Sequence, residues 1–120
     1  MSNKSITLTE TDYKRLNALI AQMDNLEELE NEVERARVIS MDIPDDLVKM
    51  NSHFEYLNVT DNKVCEMTIV YPQEANSELR KISVTAPLGS ALLGLRVGEE
   101  IDWTFPDGVV RRLRVLKVKQ

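Results

Sequence analysis

His53 and Cys65 are the chain's single histidine and single cysteine, so the residue types most used for nucleophilic and metal chemistry occur once each. A catalytic triad needs a histidine oriented beside a nucleophile, and a structural zinc site needs four nitrogen or sulfur ligands. Neither can be assembled. His53 reads as a partly exposed strand residue, and Cys65, next to Val64 on a strand, as a buried structural thiol. Gly94 and Gly98 do not make a phosphate-binding loop, because neither G-x-G-x-x-G nor G-K-[ST] occurs. Arg111, Arg112, Arg114, Lys117 and Lys119 could face phosphates, but an RNA-reading sheet also needs exposed aromatics for stacking. Trp103 and Phe105 alternate as core residues do, so the strip reads as a solvated or protein-facing basic edge. No catalytic residue, metal ligand or cofactor is expected.

The elements that would position any site follow from hydrophobic spacing. Thr9 or Thr11 can cap a first helix, with Glu10 and Asp12 favourable in its first turn and Leu16, Leu19, Ile20 and Met23 along one face. Leu26, Leu29, Val33 and Ala36 then recur at the three–four–three spacing of a coiled-coil seam. A joint this short makes the two helices antiparallel, a hairpin projecting roughly 20 Å at ~1.5 Å per residue, which is marginal in isolation and so leans on the domain behind it. Asp24 at the joint reads as the second helix's N-cap, with Glu27 or Glu28 closing a capping box. The acidic run Glu27, Glu28, Glu30, Glu32 and Glu34 reads as a solvated face. Helical structure ends before Pro44, which lies within a linker between the hairpin and the globular domain.

Strands are expected from His53 to Val59 and from Val64 to Tyr71, followed by a mobile polar loop from Pro72 to Glu78. The stretch Ile82 to Trp103 changes backbone state three times. A strand with Ile82 and Val84 stops at Pro87, Leu88, Ala91, Leu92 and Leu95 make a short helix, and Gly94 and Gly98 turn the chain into a strand holding Ile101, Trp103 and Phe105. Asp107-Gly108 is a hairpin turn before a last strand, Val109 to Val118.

Length and charge bound the rest. The 120 residues make one domain, or one domain with an appendage, and carry a net charge of −5. Residues 1–40 hold five basic against eight acidic side chains and residues 41–81 four against eight, whereas residues 82–120 hold six against four. An acidic chain is a poor generic ligand for nucleic acid, whose affinity comes from neutralised phosphates, and suits a basic protein surface better. The start lacks the apolar core of a signal peptide and no apolar run approaches ~18 residues, which predicts a soluble cytoplasmic protein.

The segment ISVTAPLGSALLGLRVGEEIDW, residues 82–103, resembles the C-terminal domain of the bacterial Gre transcript-cleavage factors. ENEVERARVISMDIPDDLVKMNS, residues 30–52, is similar to the narrower Rnk-like family, regulators of nucleoside diphosphate kinase that keep this domain behind a shortened helical hairpin. The resemblance runs from about Glu30 to Lys119 and is most specific at Met50-Asn51-Ser52 and from Pro87 to Gly98.

The resemblance implies an α+β protein. An antiparallel helical hairpin (coiled coil) spans residues 1–40 and a linker 41–49, and residues 50–120 form an FKBP-like antiparallel β-sheet domain with one short helix near Ser90–Leu95. It implies a non-catalytic transcription regulator, a monomer, that binds bacterial RNA polymerase near the secondary channel and competes with Gre-type factors. Direct nucleic-acid binding is weak or absent and no membrane is involved. The docking residues carried over are Thr85, Ala86, Pro87, Leu88 and Ser90, although the acidic residue that precedes Ser-Pro in Gre factors is missing here. Asp24 and Glu27 have the D-x-x-E spacing of the acidic pair that helps Gre factors hold magnesium in the polymerase, on a hairpin too short to reach it. The domain class also implies an alternative, peptidyl-prolyl isomerase activity, which needs an aromatic-lined pocket. A generic protein-interaction module is a further alternative.

Overall fold

In the computed structural model, which describes residues 6–23 and 26–119, a short strand precedes the first helix. β1 (Thr7–Thr9) leads into α1 (Glu10–Gln22), α2 (Glu27–Glu34) follows, and β2 (Arg37–Ile39) returns to pair in parallel with β1. Thr9 caps α1: its hydroxyl accepts a hydrogen bond from the Asp12 amide at 3.1 Å. The N-cap of α2 is Leu26, whose side chain makes no cap hydrogen bond. Asp24 itself lies outside the described residues.

β3 (His53–Asn58), β4 (Lys63–Val70), β5 (Lys81–Ser83), β6 (Glu100–Thr104) and β7 (Val110–Lys119) form one curled sheet in the order β5-β4-β3-β7-β6. The expected FKBP-like antiparallel sheet is not what forms, because β5 runs parallel to β4 with Ile69 opposite Ile82. The Pro72–Glu78 stretch makes this possible. It is not an open loop but two 3-10 turns, Pro72–Glu74 and Ser77–Leu79, which reverse the chain twice. Asn76 holds the second turn, its side-chain oxygen accepting from the Glu78 and Leu79 amides while its backbone exchanges two hydrogen bonds with Lys81 at 2.9 Å. A bulge opposite Glu55 and Tyr56 shifts the β3–β7 register, bringing Phe54 opposite Val118 and Tyr56 opposite Val115.

The helices do not project as a coiled-coil arm. Leu16, Leu29 and Val33 are buried in the same hydrophobic cluster as Phe54, Ile69, Leu92, Ile101 and Leu113. A helix of 13 residues followed by one of 8 spans only about 20 and 12 Å, too short to stand alone in water. The seam spacing is therefore spent on the sheet as well as on the partner helix. The principal extents are 35 × 32 × 31 Å, which leave no room for a protruding rod.

Backbone hydrogen bonds tie the layers together. Val48 and Gly94 exchange partners along the linker (Val48 N to Leu95 O and Gly94 N to Val48 O, both 2.9 Å), and the Thr7 amide donates to the Gly94 carbonyl at 3.1 Å. Gly94 has φ +80°, and an added Cβ would lie 2.5 Å from Ile6 Cβ, so only glycine lets β1 approach this closely.

The Met50-Asn51-Ser52 segment fastens α1 to the sheet. Asn51 adopts left-handed φ 69°, its amide donates to Ile69, and the Ser52 hydroxyl accepts from the Lys49 amide at 2.9 Å. The Met50 amide donates to Asp12 Oδ2 at 3.1 Å, a bond that is buried. Burial first, against that bond, holds the Asp12 carboxyl above the usual 3.8. The folded state thus binds a proton more readily than the unfolded chain. The stability Asp12 contributes is full below pH 3.8 and is lost as pH rises through the raised folded value. Asp12→Asn keeps a carbonyl acceptor for Met50 and removes this titration. The mutant-minus-parent melting temperature should therefore be more positive at about pH 7 than at about pH 3.5, and a flat or reversed difference in thermal melts would refute it.

Candidate functional site

The Pro87 turn is built by hydroxyls and one proline. β5 ends at Ser83, whose side chain lies 2.7 Å from the Thr85 hydroxyl and accepts from the Thr85 amide at 3.1 Å. Ala86 donates to the Ser83 carbonyl at 3.0 Å and sits in extended geometry, as the residue before proline must. Pro87 then occupies the first turn of α3 (Pro87–Leu92), where its missing N–H would be unpaired anyway. Ser90 is buried and its hydroxyl donates to the Val84 carbonyl at 2.8 Å, so it braces the turn from inside. Thr85, Ala86, Pro87 and Leu88 are half-buried, with Leu88 packed against the core.

The structure joins this turn to parts of the chain that its spacing does not connect. A groove of about 680 Å³ runs between α2, the Pro87 turn and the β6–β7 turn. Leu26, Glu27, Leu29 and Asn31 form one wall, Thr85, Pro87 and Ser90 another, and Trp103 to Pro106 the third. The volume falls within the roughly 300–1,000 Å³ of ordinary ligand clefts, but the groove is open and, among the described residues, holds no paired acid and base. Among the described residues, no three His, Cys, Asp or Glu side chains converge as metal ligands. Glu27 stands in the groove wall, and Asp24, the other half of the D-x-x-E pair, lies outside the described residues. The signal for the third wall, Phe105-Pro106, is visible in the sequence only as a turn.

The three arginines of the last strand are paired with carboxylates. β7 is an interior strand between β3 and β6, which corrects the expected basic edge. Arg112 pairs with Asp102 at 2.9 Å, Arg111 with Asp107 at 2.9 Å, and Arg114 with Glu100. Hydrogen bonds from these arginines hold the Asp102 and Asp107 carboxyls below the usual range. The Arg111 guanidinium also sits 4.8 Å above the Phe105 ring. Lys119 lies 3.9 Å from Glu66, whose carboxyl the His53 hydrogen bond (2.8 Å) lowers. His53 is therefore a partly exposed strand residue, as its type and place suggest. Cys65 is half-buried opposite Tyr56. Burial pushes up the phenols of Tyr56 and Tyr71, the latter to about 12, with the charge of Asp12 adding to it.

Two family descriptions cover nearly the whole chain. Residues 43–120 match the C-terminal part of the transcription elongation factors GreA/GreB, and residues 4–39 match the Rnk N-terminus. The regulator of nucleoside diphosphate kinase of Escherichia coli (strain K12) is 37% identical over 125 residues, 99% of this chain and 92% of that protein. The chain belongs to the Rnk family. GreA of Acetivibrio thermocellus is 34% identical over 94 residues, 78% of this chain and 58% of that factor. A solved GreA/GreB elongation factor from Nitrosomonas europaea superposes with a TM-score of 0.78 at 36% identity, covering 98% of this chain and 100% of that one. At 22% identity and TM-score 0.53, GreA factor homolog 1 of Thermus thermophilus shares the fold.

This Rnk-family chain is thus a transcription-elongation-factor-like regulator with a GreA/GreB-like architecture. The FKBP-like and coiled-coil descriptions do not fit it, and the prolyl isomerase alternative loses the fold it rested on. Among the described residues, no helix is long and apolar enough to cross a membrane.

Proposed function

We propose that the chain is a non-catalytic regulator that binds bacterial RNA polymerase near its secondary channel and competes there with Gre-type factors. The observation that carries this reading is the braced Pro87 turn opening on a groove that Leu26, Leu29, Trp103 and Phe105 also line, in a chain whose relatives include elongation factors. Thr85, Ala86, Pro87 and Leu88 make the contact and Ser90 holds their shape. The apolar surface of Pro87 and Leu88 replaces the charge that Gre factors carry at this turn. Asp24 and Glu27 take no part in transcript cleavage. The effect on nucleoside diphosphate kinase, carried in the name of the Escherichia coli relative, follows from altered transcription.

The same reading divides the chain into hairpin (1–40), linker (41–49) and sheet unit (50–120), acting as a monomer in the cytoplasm. Direct nucleic-acid binding is weak, because Arg111, Arg112 and Arg114 are already paired with carboxylates. The test is size-exclusion chromatography of the full chain with purified core RNA polymerase. Co-elution that a Gre factor abolishes is expected. Elution of the chain as a free small protein, or co-elution unaffected by Gre factor, would contradict the reading.

A further inference from the structure

The groove has a second wall that the Pro87 turn does not supply. On α2, Leu29 and Val33 are buried in the core, while Glu27 and Asn31, four residues apart, lie on an exposed face and line the groove. Opposite them stands Pro87, and the floor is closed by the Trp103 and Phe105 side of the sheet. Glu27 is the only ionisable residue lining the groove among the described residues, so a cleft of mixed lining, with Leu26, Leu29, Pro87, Trp103, Phe105 and Pro106 as its apolar members, carries one negative charge at its rim. Arg111, whose guanidinium lies over the ring of the groove residue Phe105, is held by Asp107 through two hydrogen bonds. Glu30 and Glu34 extend the acidic character along the exposed side of the same helix.

We infer that the groove is a two-sided docking cleft in which α2 and the Pro87 turn together grip a basic amphipathic segment of the polymerase, one that inserts an apolar side chain and sets a lysine or arginine against Glu27. This rests on the polymerase-binding reading and adds the hairpin to it as a wall of the docking site. Apolar burial supplies the contact area, and the single carboxylate selects segments carrying a cation at the matching position and rejects acidic ones. The shortness of the helices has a use here. Packed on the sheet, α2 is held where a free-standing arm would not stay.

The test measures the affinity of the full chain for purified core RNA polymerase in three variants. Glu27→Lys reverses the charge in the cleft, Glu34→Lys makes the same change to net charge on an exposed part of α2 outside it, and Pro87→Asp alters the facing wall. Glu27→Lys is expected to weaken binding by about tenfold or more and Glu34→Lys by less than about threefold, since a charge facing a partner counts for more than a distant solvated one. Equal effects of the two lysine variants would overturn the two-sided cleft. If Pro87→Asp weakens binding while Glu27→Lys does not, docking is one-sided and the polymerase reading survives without this inference. If no variant changes the affinity, or the parent does not bind, both fail. A parent that is dimeric at micromolar concentration and becomes monomeric with Glu27→Lys would assign the cleft to a second copy, which also overturns the inference.

Discussion

Pro87→Asp is expected to weaken binding to RNA polymerase by roughly 2 kcal/mol or more, about thirtyfold in Kd, while leaving the fold intact. Truncating or charging an apolar anchor at the centre of an interface has an effect of that size, because the charge must be desolvated against an apolar partner surface. The fold tolerates the change for a local reason. Pro87 is the first residue of α3, where an amide proton has no helical partner to lose and an acidic side chain suits the helix dipole. Isothermal titration with core polymerase, beside a thermal melt, separates the two effects. An unchanged affinity would move the docking surface away from this turn. A collapsed melting temperature would mean that Pro87 is mainly structural.

Gly89→Ala should destabilise the domain by about 1–3 kcal/mol, the usual result of forcing an atom into a packed site. In an ordinary helix interior the same change is worth about 1 kcal/mol in the opposite direction. Here an added Cβ would press into the Ser83 carbonyl oxygen and lie 3.2 Å from Val84 Cα, both rigid backbone. Because Ser83 also anchors Thr85 and Ala86, the displacement would pass into the turn that faces the groove. Chemical denaturation of the variant checks this, and a stability equal to or above the parent's would show that α3 can slide on β5.

The parts legible in the sequence were those governed by local rules. Pro87 ends the strand and starts the helix, Gly108 takes a positive φ in the turn, and Thr9 caps α1. β6 begins one residue before the alternation of Ile101 and Trp103. What spacing did not carry was pairing at a distance. β5 is three residues long, and its parallel place beside β4 depends on Asn76 and on Arg80 at φ 56°, neither of which has a periodic signature. Asp12 reads locally as a helix-dipole partner, whereas its bond to the Met50 amide, 38 residues away, appears only in three dimensions. The groove is the same kind of case. Leu26, Pro87 and Phe105 meet only because the helices fold down onto the sheet; the shortness of the pair said that it leans on the domain, but not which residues it would meet there. The basic residues of β7 looked available because their partners Glu100 and Asp102 lie on the neighbouring strand, β6, directly across the register.

The central claim, a regulator that occupies the Gre position without cleaving RNA, is tested most directly in backtracked transcription complexes. The parent chain, the Asp24→Ala/Glu27→Ala double variant and Pro87→Asp are each added with and without a Gre factor, and the release of the transcript's 3′ fragment is followed with time. Magnesium chemistry needs carboxylate oxygens at ~2.1 Å, and helices of 13 and 8 residues packed on the sheet do not deliver them deep into the enzyme. The expected result is no cleavage from the parent alone, a concentration-dependent loss of Gre-stimulated cleavage when the parent is present, and loss of that interference in Pro87→Asp. Cleavage by the parent alone that disappears in the Asp24→Ala/Glu27→Ala variant, or Gre-stimulated cleavage untouched by excess parent, would contradict it.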